Sequence, residues 1–303
     1  MLLRDLVHHW NEFFFEPELV YTVAVFRIVF SIILIYESIF ISCNLKEYLG
    51  PAGLVGYSRY RSRSAGKALS LFLYLPPTMT SVYIVMSVHI IALGCMAVGL
   101  FTPLSTLTAF ITLRSIINRN PGICNGGDNV ARIMCFFLIF TASGHCFSLD
   151  ELLFYRPIDS SRSYLMHVPW AIRLMQIQIA VIYLFNAYSK LKGSTYRDGT
   201  AIYYVMKNYN YRRFPLGAIL ISPPFVQLFT WGALAIEFSI GIFIWIQDLR
   251  YVMIFMGFVL HLTIEYMVNV HLFSWYMLAS LLLFVNPTDM LHLLNYFFGG
   301  SLN

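Results

Sequence analysis

Residues 19–43 read LVYTVAVFRIVFSIILIYESIFISC, a run broken by one arginine, Arg27, and one glutamate, Glu37. A helix needs about 20 mostly apolar residues to cross the hydrocarbon core of a bilayer, and this stretch exceeds that. Seven further stretches follow the same rule: Met79–Phe101, Pro103–Ile117, Asn129–Phe147, Trp170–Ser189, Phe225–Gln247, Tyr251–Val268 and Val270–Val285. The third and eighth are short enough for one of them to be re-entrant. Met290–Phe298 reads as a half-length ninth element. The sequence therefore predicts an all-α fold, a polytopic transmembrane helical bundle of about eight spans, with seven and nine as its bounds.

Composition agrees. Of 303 residues, 58% are hydrophobic, 17% aromatic and 12% charged. A soluble domain carries roughly 25% charged residues, and one of this length could not hide so much apolar surface. The formal net charge is only +5, without long basic tracts, so nucleic acid is not an expected partner; the lipid bilayer is. In a bacterium that membrane would be the cell membrane.

Breakers set the loops. Gly50, Pro51, Gly53 and Gly56 lie in 49–65; Asn118–Asn129 reads NRNPGICNGGDN; Pro76-Pro77 and Pro223-Pro224 precede spans two and six. There is no repeat, and 1–303 reads as one membrane domain. Within it, residues 1–18 form an amphipathic segment suited to the membrane surface. Asp5, Glu12, Glu16 and Glu18 speak against a cleavable signal peptide. The densest basic group, Arg59, Arg61, Arg63 and Lys67, reads as a headgroup contact, a topology signal or a solvated loop. Loops with Lys46, Arg119, Lys192 and Arg213 carry more cations than those with Arg4, Arg156, Arg162 and Arg250. The positive-inside rule puts the richer side in the cytosol. Five cysteines form no CxxC pair, so no disulfide is predicted.

Ionisable residues inside spans are costly and face a bundle interior or cavity. Arg27 and Glu237 read equally well as an interspan ion pair or as site residues. Span five is the most informative: Arg173, Gln176, Tyr183, Asn186 and Lys190 fall near one stripe at 100° per residue. Lys190 at its end reads either as a snorkelling lysine or as one desolvated enough to act as a base. Span four ends in TASGHCFSLDELLF, placing His145 at the membrane boundary before Ser148 and Asp150. His261 and Glu265 share a face at i, i+4, but no supporting ligands accompany them, so no metal is predicted. Hydrolase elbows, phosphate loops and dinucleotide fingerprints are missing from the sequence.

Four stretches resemble the HTTM (horizontally transferred transmembrane) domain shared with vitamin K-dependent γ-glutamyl carboxylases: Asn125–Phe140, Gly144–Leu153, Ile172–Tyr204 and Leu272–Phe284. The resemblance implies a carboxylase-like enzyme that uses a reduced quinone (vitamin K or menaquinone hydroquinone) and oxygen. In that family a lysine at the end of the corresponding helix deprotonates the hydroquinone, and Lys190 matches it within Tyr-Ser-Lys-Leu. A functional histidine before Ser-hydrophobic-Asp is matched by His145. Arg173, Gln176, Tyr183 and Asn186 would line the quinol pocket. Gly144 stands where the animal enzymes have Asn, and Ser189 where they have a second Lys.

The carboxylases continue into a large non-membrane region. The present sequence is expected to end with its membrane domain, so quinol chemistry alone, or action on a small secreted peptide with a partner subunit, is the closer expectation. The chain also resembles sporulation-delaying protein B, which takes part in maturing a secreted peptide toxin. A non-catalytic accessory or immunity protein for such a peptide is the alternative. A transporter, with Arg27, Glu37, Arg173 and Glu237 along a path, ranks third because no inverted repeat is visible.

Overall fold

A computed structural model describes residues 2–64, 69–155, 163–214, 222–297 and 299. Lys67, Arg156, Arg162 and Phe298 lie outside the described residues. In chain order the elements are α1 (Leu2–Phe15), β1 (Glu18–Leu19), α2 (Tyr21–Cys43), α3 (Leu45–Tyr48), α4 (Tyr57–Ser64), α5 (Met79–Val98), α6 (Thr102–Arg119) and α7 (Gly126–Leu138). There follow β2 (Met166–His167), α8 (Trp170–Lys192), α9 (Ser194–Arg197), α10 (Ala201–Lys207), α11 (Pro223–Phe243), α12 (Gln247–Met267), α13 (Phe273–Leu281) and α14 (Pro287–Phe297). Almost all regular structure is helical, as a bilayer demands of a chain that must satisfy its own backbone.

Among the described residues five helices are long and apolar enough to cross a membrane: α2, α5, α8, α11 and α12. They become six if Phe273–Phe284 and Pro287–Phe297 form one broken span. Length and composition alone therefore support fewer crossings than eight. The differences are local. The third stretch is a helix of 18 residues, but it buries Thr102, Ser105, Thr106, Thr112 and Ser115, which lower its apolarity. The fourth stretch does not continue to Phe147. Its helix stops after 13 residues at Leu138, about 20 Å at 1.5 Å per residue and short of a hydrocarbon core of roughly 30 Å. Thr141 Oγ1 donates to Leu138 O, and a 3₁₀ turn over Ser143–His145 replaces the last turns.

The chain forms two compact units, residues 1–175 with 286–303, and residues 176–285. In the first, α2 packs on α5, α5 on α6, and α6 on α7, while α14 lies against α2. The core of this unit includes Phe26, Phe30, Leu34, Leu93, Met96 and Met134, all essentially inaccessible. Helix ends follow sequence signals. Thr78 caps α5, and Asn125 with Asp128 forms a capping box on α7. The N-terminus of α6 is held by Asp150, whose two oxygens accept from Phe101 N and Thr102 N at 2.7 Å each. β1 and β2 pair antiparallel with Glu18 opposite His167.

In the second unit α11 packs on α12 and α12 on α13. The pattern on α12 is inverted relative to a soluble helix: Phe255 is 63% exposed, whereas His261 is 2% exposed. Apolar outside and polar inside is the arrangement that lipid favours.

Candidate functional site

The polar stripe of α8 is used residue by residue. In its first turn Arg173, in the first unit, forms an ion pair with Glu18, donates from Nε to Phe13 O at 2.9 Å and lies over the Phe13 ring. It ties α1 and β1 to the start of α8. Gln176, in the second unit, donates to Leu283 O at 2.6 Å. Asn186 is half-buried on the same stripe.

The lower half of the stripe builds a cluster in the second unit. Tyr183 is 2% exposed, and its hydroxyl lies 2.7 Å from Nε2 of His261 on α12. Two turns on, Lys190 Nζ donates to Oε1 of Glu237 on α11 at 2.5 Å. Lys190 keeps 28% of its side chain exposed against 8% for Glu237, so the carboxylate is the deeper partner. Nζ also lies 5.7 Å from the Tyr196 ring centroid. The two pairs are within electrostatic reach of each other, Lys190 with His261 and Glu237 with Tyr183.

Close helix approach makes this possible. A Cβ at Gly241, one turn beyond Glu237, would meet Leu184 Cγ at 2.5 Å. Glycine there lets α11 come close enough for Glu237 to reach Lys190.

Two polar atoms in the cluster, Glu237 Oε2 and His261 Nδ1, are buried without a hydrogen-bond partner among the described residues. Buried polar groups are nearly always satisfied, and an unsatisfied one costs about 1–3 kcal/mol. A carboxylate oxygen and an imidazole nitrogen left this way can each take one further hydrogen bond.

His145 is in the first unit, half-buried on the turn after α7. Its Nδ1 lies 2.9 Å from Nε2 of His167 on β2, and both nitrogens contact Tyr164 O, at 3.2 and 3.0 Å. The His145 ring stacks on Tyr155 at 3.9 Å. Burial, and secondarily the charge of His167, holds His145 below the usual imidazole range, partly opposed by Tyr164 O and Asp150. The turn itself is fixed by Arg27 in α2, whose guanidinium donates to Ser143 O and to Phe147 O. Ser148 Oγ donates to Gly144 O and accepts from Glu151 N. A Cβ at Gly144 would meet Thr102 Oγ1 at 2.6 Å and Asp150 Oδ2 at 3.2 Å, so this turn has no room for the asparagine of the animal enzymes.

The structure supplies partners that the sequence left open. Within the first unit Arg27 donates to backbone carbonyls, and within the second Glu237 forms an interspan ion pair with Lys190. Glu265, on the face it shares with His261, forms an ion pair with Arg213. Sequence reading missed Glu237 as the partner of Lys190, His261 as the partner of Tyr183, and His167 beside His145. Glu237 and His261 already stood out as polar residues in apolar spans; His167 carried no signal. Among the described residues no group of three or more His, Cys, Asp or Glu could hold a metal ion.

Comparison with known proteins adds the following. The HTTM domain matches residues 15–288 of the chain. The uncharacterized protein YitO of Bacillus subtilis (strain 168) is 28% identical over 178 residues, covering 55% of this chain and 55% of that protein. The chain thus spans about half the length of that relative. No solved structure matches it.

Proposed function

The chain belongs to the HTTM domain family, and from that premise we propose that it is a multi-pass membrane enzyme of the vitamin K-dependent carboxylase-like type. It takes a reduced quinone and oxygen and acts in the modification of a peptide. The observation that carries this reading is the Lys190–Glu237 pair beside Tyr183–His261, with Glu237 Oε2 and His261 Nδ1 left unpartnered in a buried setting. When bound, a hydroquinone would supply reducing electrons for oxygen.

The chain's own groups manage the proton. As an ion pair, Lys190 is an ammonium and cannot accept one. Moving its proton from Nζ to Glu237 Oε1 leaves the proton count unchanged and gives a free amine. In a low-dielectric surround that neutral pair competes with the ionic one, because separated charges lose solvation there. The free amine can then take a hydroxyl proton, as a general base does. Glu237 thereby shares the role that the family resemblance gives to Lys190 alone. His261 Nδ1 and Glu237 Oε2 would orient the hydroxyl groups.

The test is epoxide formation by purified protein given vitamin K or menaquinone hydroquinone and oxygen, comparing wild type with Lys190→Ala. Loss of epoxide in a variant that remains folded supports the reading. Unchanged turnover by that variant refutes it.

A second reading rests on a specific observation: Arg173, Gln176, Tyr183 and Lys190 all have partners within the chain. Polar residues used this way hold helices together, which suits a non-catalytic accessory or immunity protein for a secreted peptide. No quinol consumption by folded wild-type protein favours it; unchanged peptide processing after deletion of the gene counts against it.

A further inference from the structure

The loop between α2 and α5, in the first unit, is a built structure rather than a slack connection. Tyr60 in α4 is fully buried, donates to Ser70 Oγ at 2.7 Å and packs with Leu45, Leu49, Phe72, Val82, Val85 and Ile116. Arg119 at the end of α6 is 1% exposed and donates to Val55 O at 2.7 Å and to Gly50 O at 2.5 Å. Its guanidinium lies 5.2 Å from the Tyr60 ring centroid. Asn120 Nδ2 donates to Tyr48 O at 2.9 Å. Two spanning helices meet this platform, the end of α2 and the start of α5, so it lies at one membrane boundary.

Its outer face is cationic. In α4, Tyr60 and Ser64 point inward, whereas Arg59, Arg61, Arg63 and Ser62 are exposed. At 100° per residue Arg59 and Arg63 share one flank and Arg61 takes the other. Among the described residues none of these arginines, nor Lys46, forms an ion pair. Arg63 donates to Asn118 O at 3.0 Å, which keeps it beside the end of α6. A recess of about 820 Å³ opens in the same loop, lined by Lys46, Glu47, Pro51, Ala52, Leu54 and Met79 among others. It offers a mainly apolar floor with one cation and one carboxylate. Leu54 is 59% exposed beside it.

We propose that this loop is a binding site for an anionic phospholipid of the surrounding bilayer. The headgroup phosphate meets the flank of Arg59 and Arg63, Arg61 and Lys46 add positive charge in the same loop, and the glycerol and upper acyl region enters the recess by Leu54 and Met79. Cations at a membrane boundary with no carboxylate partner attract anionic headgroups, and the packed platform fixes the backbone that carries them. The four cations outnumber the single Glu47 carboxylate nearby.

The experiment uses the full chain in neutral detergent and measures the melting temperature with added phosphatidylglycerol, phosphatidylcholine or glycerol 3-phosphate. Phosphatidylglycerol should raise it by several degrees, and the other two should not. The variant Arg59→Gln/Arg61→Gln/Arg63→Gln should keep its melting temperature without lipid and lose most of the phosphatidylglycerol shift. Ser62→Glu, which puts a carboxylate among the arginines at an exposed position, should reduce the shift as well. About 0.5 M salt should shrink the shift by screening. Equal stabilisation by phosphatidylcholine, or a full shift in both variants, overturns the proposal. An equal effect of glycerol 3-phosphate also overturns it, in favour of a soluble-anion site.

Discussion

Removing one member of the Lys190–Glu237 pair should cost more at one end than at the other. Glu237 is the deeper residue, 8% exposed against 28% for Lys190. Lys190→Met strands a carboxylate in the helix interior. Loss of one partner of a buried pair costs roughly 3–5 kcal/mol, and the partial exposure of Lys190 brings the expectation to about 3 kcal/mol. Glu237→Gln strands an ammonium on a flexible stem near the end of α8, where it can snorkel, and its amide oxygen still accepts. About 1 kcal/mol is expected there. With both changed no charge is stranded, so Lys190→Met/Glu237→Gln should be less destabilised than the sum by about 2 kcal/mol, a factor of roughly 30 in the unfolding equilibrium. The assay is a double-mutant cycle by thermal unfolding in one detergent, read by tryptophan fluorescence. Additive costs, or a larger loss for Glu237→Gln than for Lys190→Met, would refute the reasoning.

Other perturbations follow from the same geometry. Tyr183→Phe leaves His261 Nε2 without its partner at 2.7 Å and should cost about 1 kcal/mol, the range of polar contacts between membrane helices, seen as a lower melting temperature. Gly144→Asn must displace Thr102 and Asp150; overpacking of this kind costs about 1–3 kcal/mol, and a maleimide should then reach buried Cys146. Because the folded state holds His145 below the usual imidazole range, the unfolded chain binds its proton more readily. Its contribution to stability is therefore complete above about pH 6.5 and is lost as pH falls below that value. Part of the fall in melting temperature between neutral and mildly acidic pH should vanish in His145→Gln.

The membrane class was legible because span length and apolarity are properties of short windows. The stretch 19–43 contains α2 entire, and Pro76-Pro77 and Pro223-Pro224 sit at the starts of α5 and α11. The early end of α7 was hidden because it depends on Arg27, over a hundred residues away, drawing in the carbonyls of Ser143 and Phe147. The stripe on α8 was visible as a period, but its partners were not. Lys190 finds Glu237 through a glycine that allows close packing, and a hydrophobicity pattern carries no information on which helix lies beside which. His167 was silent because a histidine in a two-residue strand has no periodicity to mark it. The candidate site was thus half readable: the residues that stand out chemically, but not their pairing.

The most direct test compares oxygen-dependent consumption of reduced menaquinone by purified wild type with that of Lys190→Met/Glu237→Gln, the variant expected to stay folded without the charged pair. Turnover by wild type that disappears in this variant, with its melting curve retained, is the predicted result. Equal turnover by both proteins, or none by folded wild type, would contradict the account.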